Sequence, residues 1–166
     1  GNNLHRLSIE INKLAMNIPK GVEINEQHIQ NYVGINRDYN IFELQKAVSF
    51  GDYSKAYRIV EYFTLNLNKN PFVITIGQLF NYFNKILIIH QSSVKEKHHI
   101  ASAIGVNPFF VGEYLNASKR YSLPIVLRNI ELVHDTDLKF KGIKPFASSK
   151  GKEGALLKEL IFKLMH

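Results

Sequence analysis

The sequence predicts an all-α protein, a helical bundle of about eight helices. Three observations carry that prediction. Apolar residues recur three and four positions apart along most of the chain, the spacing that gathers them on one face of a helix. No segment alternates convincingly between apolar and polar residues; Ile74 and Ile76 come closest, and the residues after them return to helical spacing. Glycine, proline, asparagine and aspartate punctuate the pattern at intervals suited to helix ends.

Leu4, Leu7, Ile11, Leu14 and Ala15 form the apolar face of a helix over residues 3–17, which Pro19 and Gly21 end. Asn25 caps a short helix carrying Ile29, Tyr32 and Val33 and closed by Gly34. The chain is then polar through Asn36, Arg37 and Asp38, and a domain boundary is expected there. Ile41, Leu44, Ala47 and Val48 lie at core spacing on the next helix. Gly51 stops it, because glycine enters the left-handed conformation that closes a helix without steric cost. Asp52 caps a partner helix with Ala56, Ile59, Val60 and Phe63 on its apolar face. So short a connection leaves only an antiparallel hairpin. The pair is similar to one tetratricopeptide unit, but no second copy follows at a fixed period, which excludes a solenoid.

Pro71 opens the longest helix, Val73 to His90. Its apolar residues (Ile76, Leu79, Phe80, Phe83, Ile86, Leu87) cover a stripe wide enough for a central helix touched on several sides. A helix ending at Gly105 and a second opening at Pro108 after an Asn107 cap enclose a tight turn. Ser122 caps a helix running through Leu127, Ile130, Val133 and Leu138 towards Gly142. A lysine-bearing loop reaches Gly151, and Lys152 to Met165 is a last amphipathic helix with Leu156, Leu157, Leu160, Ile161 and Leu164.

A chain of 166 residues, 45% hydrophobic, is long enough to bury a proper core as one medium domain or two small ones. It has no cysteine, which excludes disulfides, thiolate metal sites and cysteine nucleophiles and suits a reducing compartment. The N-terminal stretch is amphipathic and lacks the apolar core of a signal peptide. The longest aliphatic run, Ile86 to Ile89, is too short to span a bilayer. A soluble, cytoplasmic protein with no membrane partner is expected. The formal charge of +7 permits attraction to nucleic acid, but the lysines are spread along the chain, as on a solvated basic surface.

Chemistry-bearing motifs are sparse. Neither GxxxxGK[ST] nor GxGxxG occurs, and no strand precedes the glycines of 142–154 to aim them at a phosphate. His134 and Asp137 share a helix face, but two ligands make no metal site, and Asp137 is placed to pair with Lys141 at i,i+4. His98 and His99 sit beside Lys95 and Lys97 on a basic, solvated face. Ser8, Ser49 and Ser122 read as surface or capping serines, with no GxSxG around them. No catalytic residue, cofactor or metal is expected, and nothing supports an enzyme.

Ala101, Gly105 and Val111 have helix-turn-helix spacing, so a basic helix-turn-helix-like DNA-binding domain is one functional reading. Its exposed recognition positions would be Asn107, Pro108, Phe109, Gly112, Glu113 and Asn116. Proline, phenylalanine and glycine read nothing in a major groove, and Glu113 would be repelled by phosphate. The basic pair Lys119 and Arg120 falls beyond the helix in this reading and is the candidate nucleic-acid contact.

Two blocks support another reading. One is Asp38-Tyr-Asn-Ile-Phe-Glu-Leu-Gln-Lys-Ala47, continuing to Gly51-Asp52 and Ala56. The other is Asn107-Pro-Phe109, Ala117, Arg120-Tyr-Ser122, Leu127, and Asp137 with Lys141. Together they resemble the delta subunit of the bacterial DNA polymerase III clamp loader, a family whose likeness spans nearly the whole chain. The resemblance implies that residues 1–37 are the end of a helical lid domain and 38–166 a helical collar domain. It implies a preceding ATPase-like module that does not hydrolyse ATP in this subunit and grips the sliding clamp. The collar would be a scaffold joining the other loader subunits into a pentamer, with DNA engaged indirectly. The face expected to meet partners is Leu156, Leu160, Ile161 and Leu164 on the last helix.

Overall fold

The computed structural model describes residues 39–93, 96–145 and 152–166, together with residues 8, 11–12, 14–19 and 21–25 upstream. The chain divides into two compact units, Gly1–Asp38 and Tyr39–His166. In the first unit, residues 8, 11–12 and 14–17 are helical, with Leu14 buried. The helix ends before Pro19, and Gly21 takes a φ of +95° in the turn that follows. The short helix expected around Ile29, Tyr32 and Val33 lies outside the described residues.

The second unit holds seven α-helices and one 3₁₀ turn among its described residues, with no strand. They are α1 (Ile41–Phe50), α2 (Tyr53–Leu65), α3 (Phe72–Gln91), α4 (Lys97–Ile104), the 3₁₀ turn Pro108–Phe110, α5 (Val111–Arg120), α6 (Leu123–Phe140) and α7 (Lys152–Met165). The all-α expectation holds.

Local chemistry sets the helix ends. Asn40 Oδ1 accepts from the Glu43 N–H at 3.1 Å, and Asp52 Oδ1 from the Lys55 N–H at 2.9 Å, each satisfying an orphan donor of a first turn. At the end of α1, Gly51 (φ +69°) gives its N–H to Val48 and Asp52 gives its own to Ala47, the paired closure of a Schellman stop. Ser122 holds the N-cap position of α6 without a side-chain bond. Pro71, expected as the first helical residue, instead holds the N-cap position of α3, and the helix begins at Phe72.

The helices close on themselves. α1 packs on α2, α2 on α7, α7 on α6, α6 on α3, α3 on α5, and α5 back on α1. Leu44, Val48, Ile59, Phe63, Leu79, Phe83, Ile86, Val126, Leu156 and Leu160 are buried in the core they enclose. α3 and α6 run antiparallel: the Phe72 and Phe140 rings lie 4.5 Å apart at one end, and His90 Nε2 is 2.7 Å from the Tyr121 carbonyl at the other. α3 is long and apolar enough to cross a membrane by length and composition alone. Its contacts with α1, α4, α5 and α6 instead give it the central place its stripe predicts. A smaller cluster of Ile100, Ala101, Ile104 and Val111 fixes the α4–α5 corner.

Candidate functional site

The α4–α5 corner is built by three local devices. Gly105 (φ +62°) ends α4 by the same closure as Gly51, with Val106 N–H bonded to the Ala101 carbonyl at 3.0 Å. Asn107 Oδ1 then accepts from the Phe109 N–H at 2.9 Å. Pro108 starts a 3₁₀ turn in which Phe110 N–H reaches the Asn107 carbonyl at 2.9 Å. The sequence expectation of an α-helix from Pro108 is therefore corrected: the tighter turn comes first, and α5 begins at Val111.

This corner faces α1 and α3 across a groove of about 500 Å³. Phe42, Tyr82, Phe110 and Tyr114 supply aromatic surface, and Glu43, Lys46, Lys85 and Glu113 supply charge. Ser49 is buried at its floor, so the surface or capping role expected of it is corrected. Its hydroxyl proton goes to the Gln45 carbonyl at 2.8 Å, which leaves the Tyr82 hydroxyl as the donor in the short contact with Ser49 Oγ. Burial pushes the Tyr82 phenol far above its ordinary range, the bond to Ser49 opposing only in part. Tyr82 is thus held neutral, as a structural donor.

The helix-turn-helix reading gains nothing from this geometry. Asn107 is used as a cap, Glu113 pairs with Lys46 at 3.2 Å, and Asn116 Nδ2 lies 3.4 Å from the Ser49 carbonyl. Lys119 and Arg120 do not lie beyond the helix, as the sequence suggested, but form the last turn of α5. Lys119 is exposed. Arg120 stacks 5.6 Å from the Tyr121 ring centroid, and its Nη2 donates to the Tyr53 hydroxyl at 3.4 Å.

The face expected to meet partners also needs correction. Leu156, Leu160, Ile161 and Leu164 are at most 1% exposed. α2 and α6 cover them, so they belong to the chain's own core. Burying each contributes roughly 1.5–3 kcal/mol to folding. Around His134, Asp135 pairs with Lys144 at 2.6 Å, and Asp137 with Lys141 as the spacing anticipates. The Lys144 bond holds the Asp135 carboxyl below its ordinary value. No group of three or more His, Asp or Glu side chains able to hold a metal occurs among the described residues.

One set of exposed apolar residues lies on the outer face of α3. Val73, Ile74, Phe80 and Ile88 are exposed there, and a Cβ on Gly77 would meet open space. Sequence reading placed Phe80 in the core stripe and missed this face, although Val73, Gly77, Phe80 and Ile88 fall on one side of a 3.6-residue wheel.

The family model for the DNA polymerase III delta subunit, C-terminal domain, matches residues 38–164. The chain belongs to this family. A solved structure of the Bacillus subtilis DNA clamp loader delta protein is similar in fold, with a TM-score of 0.57 and 22% identity over 95% of this chain. The match takes in 44% of that structure, so this delta-family chain spans less than half the length of its structural neighbour. No curated protein sequence matches the chain. In the two sequence blocks Asn40, Asp52 and Asn107 cap helices or turns, Gly51 is a stop, and Leu44, Ala47, Ala56, Ala117 and Tyr121 are buried, whereas Phe42, Phe109 and Leu127 are exposed.

Proposed function

We propose that the chain is the C-terminal part of a clamp-loader delta subunit and that residues 39–166 are its assembly domain, the collar. The family match over residues 38–164 is the observation that carries this reading. In it, residues before Tyr39 are the end of the helical lid, and the part is a scaffold that neither hydrolyses ATP nor takes a cofactor. The sliding clamp is engaged through a module upstream of these residues, DNA is approached within the assembled loader, and the complex works in the cytoplasm.

The geometry supports a scaffold. Every buried side-chain polar atom among the described residues has a partner, and the most perturbed titratable group, Tyr82, is a neutral structural donor. The corrected partner surface is the outer face of α3. In its 20 residues that helix carries no carboxylate and a single lysine, Lys85. Exposed apolar residues on a surface depleted of charge are the composition of an interface core.

Light scattering on this chain mixed with the collar regions of the other loader subunits tests the reading. A stoichiometric heteromer is expected, weakened by Ile74→Asp. A chain that stays separate from every subunit overturns it.

A further inference from the structure

The groove at the α4–α5 corner has a charge balance that assembly through α3 does not use. Each of its carboxylates has a lysine partner: Glu113 meets Lys46 at 3.2 Å, and Glu43 meets Lys55 at 3.9 Å. Lys85 lines the same groove with no carboxylate in ion-pair range among the described residues. Its ammonium lies 5.8 Å from the centroid of the Tyr114 ring. One uncompensated cation therefore sits at the edge of an aromatic-walled cleft. About 500 Å³ falls within the range of sites that enclose a ligand. Phe42, at 70% exposure, and Phe110, at 49%, still present ring surface to whatever enters.

We propose that this groove docks an acidic, aromatic-bearing peptide segment of a partner protein. A large apolar side chain sits between Phe42, Phe110 and Tyr114, and a neighbouring carboxylate of the segment pairs with Lys85. Charge complementarity selects a peptide over a nucleic-acid strand. A strand brings one phosphate per nucleotide and binds in proportion to the phosphates neutralised. Here one cation is unmatched, and the groove's other lysine, Lys46, is paired with Glu113, so a run of phosphates finds too few partners. A single carboxylate beside an apolar side chain fits both features.

The test is an amide NMR titration of the 166-residue chain with the capped tetrapeptide Asp-Phe-Asp-Phe. Saturable shifts are expected at Lys46, Lys85, Gly105, Val106 and Phe110. Lys85→Ala should weaken binding about fivefold, as loss of one partly exposed ion pair does. Replacing both aspartates of the peptide by asparagine should cost the unaltered chain a similar factor and cost the Lys85→Ala chain little. The proposal is overturned by absence of saturable shifts in the groove or by equal affinity of the asparagine peptide. Tighter occupation of the groove by a thymidine tetranucleotide overturns it as well.

Discussion

Leu160→Ala separates a core role for α7 from an interface role. Leu160 is 1% exposed and packs with Leu156, Ile161 and Leu164 between α2 and α6. Truncation removes most of a fully buried side chain and leaves a cavity that antiparallel helices on both sides cannot readily close. Losses of this kind run to about 2–5 kcal/mol. Against a total stability of roughly 5–15 kcal/mol, that is a large fraction. With a urea slope of about 1–3 kcal/mol per molar, the unfolding midpoint should fall by roughly 1–2 M. Equilibrium urea unfolding, followed by far-ultraviolet circular dichroism, measures it. Unchanged slope with a lower midpoint is the expected pattern. A loss below about 0.5 kcal/mol, accompanied by failure to join other loader subunits, would refute the placement of this face in the core.

Three further outcomes follow from the geometry. Gly51→Ala forces a side chain into a left-handed backbone at φ +69° and brings its Cβ to 2.5 Å from Arg120 Nη1; urea unfolding should show a loss of about 1–3 kcal/mol. In the Arg120→Ala background the same change should cost less, since the backbone strain remains and the clash is gone; an unchanged cost contradicts the contact. Burial raises the phenols of Tyr82, Tyr114 and Tyr121 above 10.0, so the folded state disfavours their ionised forms. The stability tied to them is complete below the unfolded value near 10 and is lost as pH rises beyond it; Tyr82→Phe, Tyr114→Phe and Tyr121→Phe each leaving the alkaline limb of the stability curve unaltered would contradict this. The Glu159 carboxyl is held low, first by the Lys163 bond and also by Lys139. Its contribution is present above about pH 4.5 and fades on acidification; Glu159→Gln should flatten that acid limb of the stability curve, and an unaltered limb contradicts the pairing.

The helix stops and caps were legible because each is a contact within a few residues. Gly51, Gly105, Asp52 and Asn107 announce themselves by type and position, and the structure uses each as anticipated. The stripe of α7 was legible as a buried face, but periodicity states that a face is covered and not by what. The sequence therefore allowed a partner subunit where the fold supplies α2 and α6. Arg120 shows the same limit: its hydroxyl acceptor, Tyr53, is 67 residues away, so an exposed basic pair was all the chain revealed. Buried polar groups were the least legible. Ser49 and Asn129 look like surface residues in a helical pattern, yet Asn129 is fully buried, with its Nδ2 3.4 Å from the Leu164 carbonyl. The groove was hidden because Phe42, Tyr82, Phe110 and Tyr114 come from four separate elements or turns.

The assembly role is tested most directly by native mass spectrometry of the loader reconstituted with the full-length delta subunit, and with that subunit cut after the residue corresponding to Asp38. The account predicts an intact five-subunit complex from the full-length protein and loss of the delta subunit from the complex when residues 39–166 are removed. A truncated subunit that still enters the complex at full occupancy would contradict it.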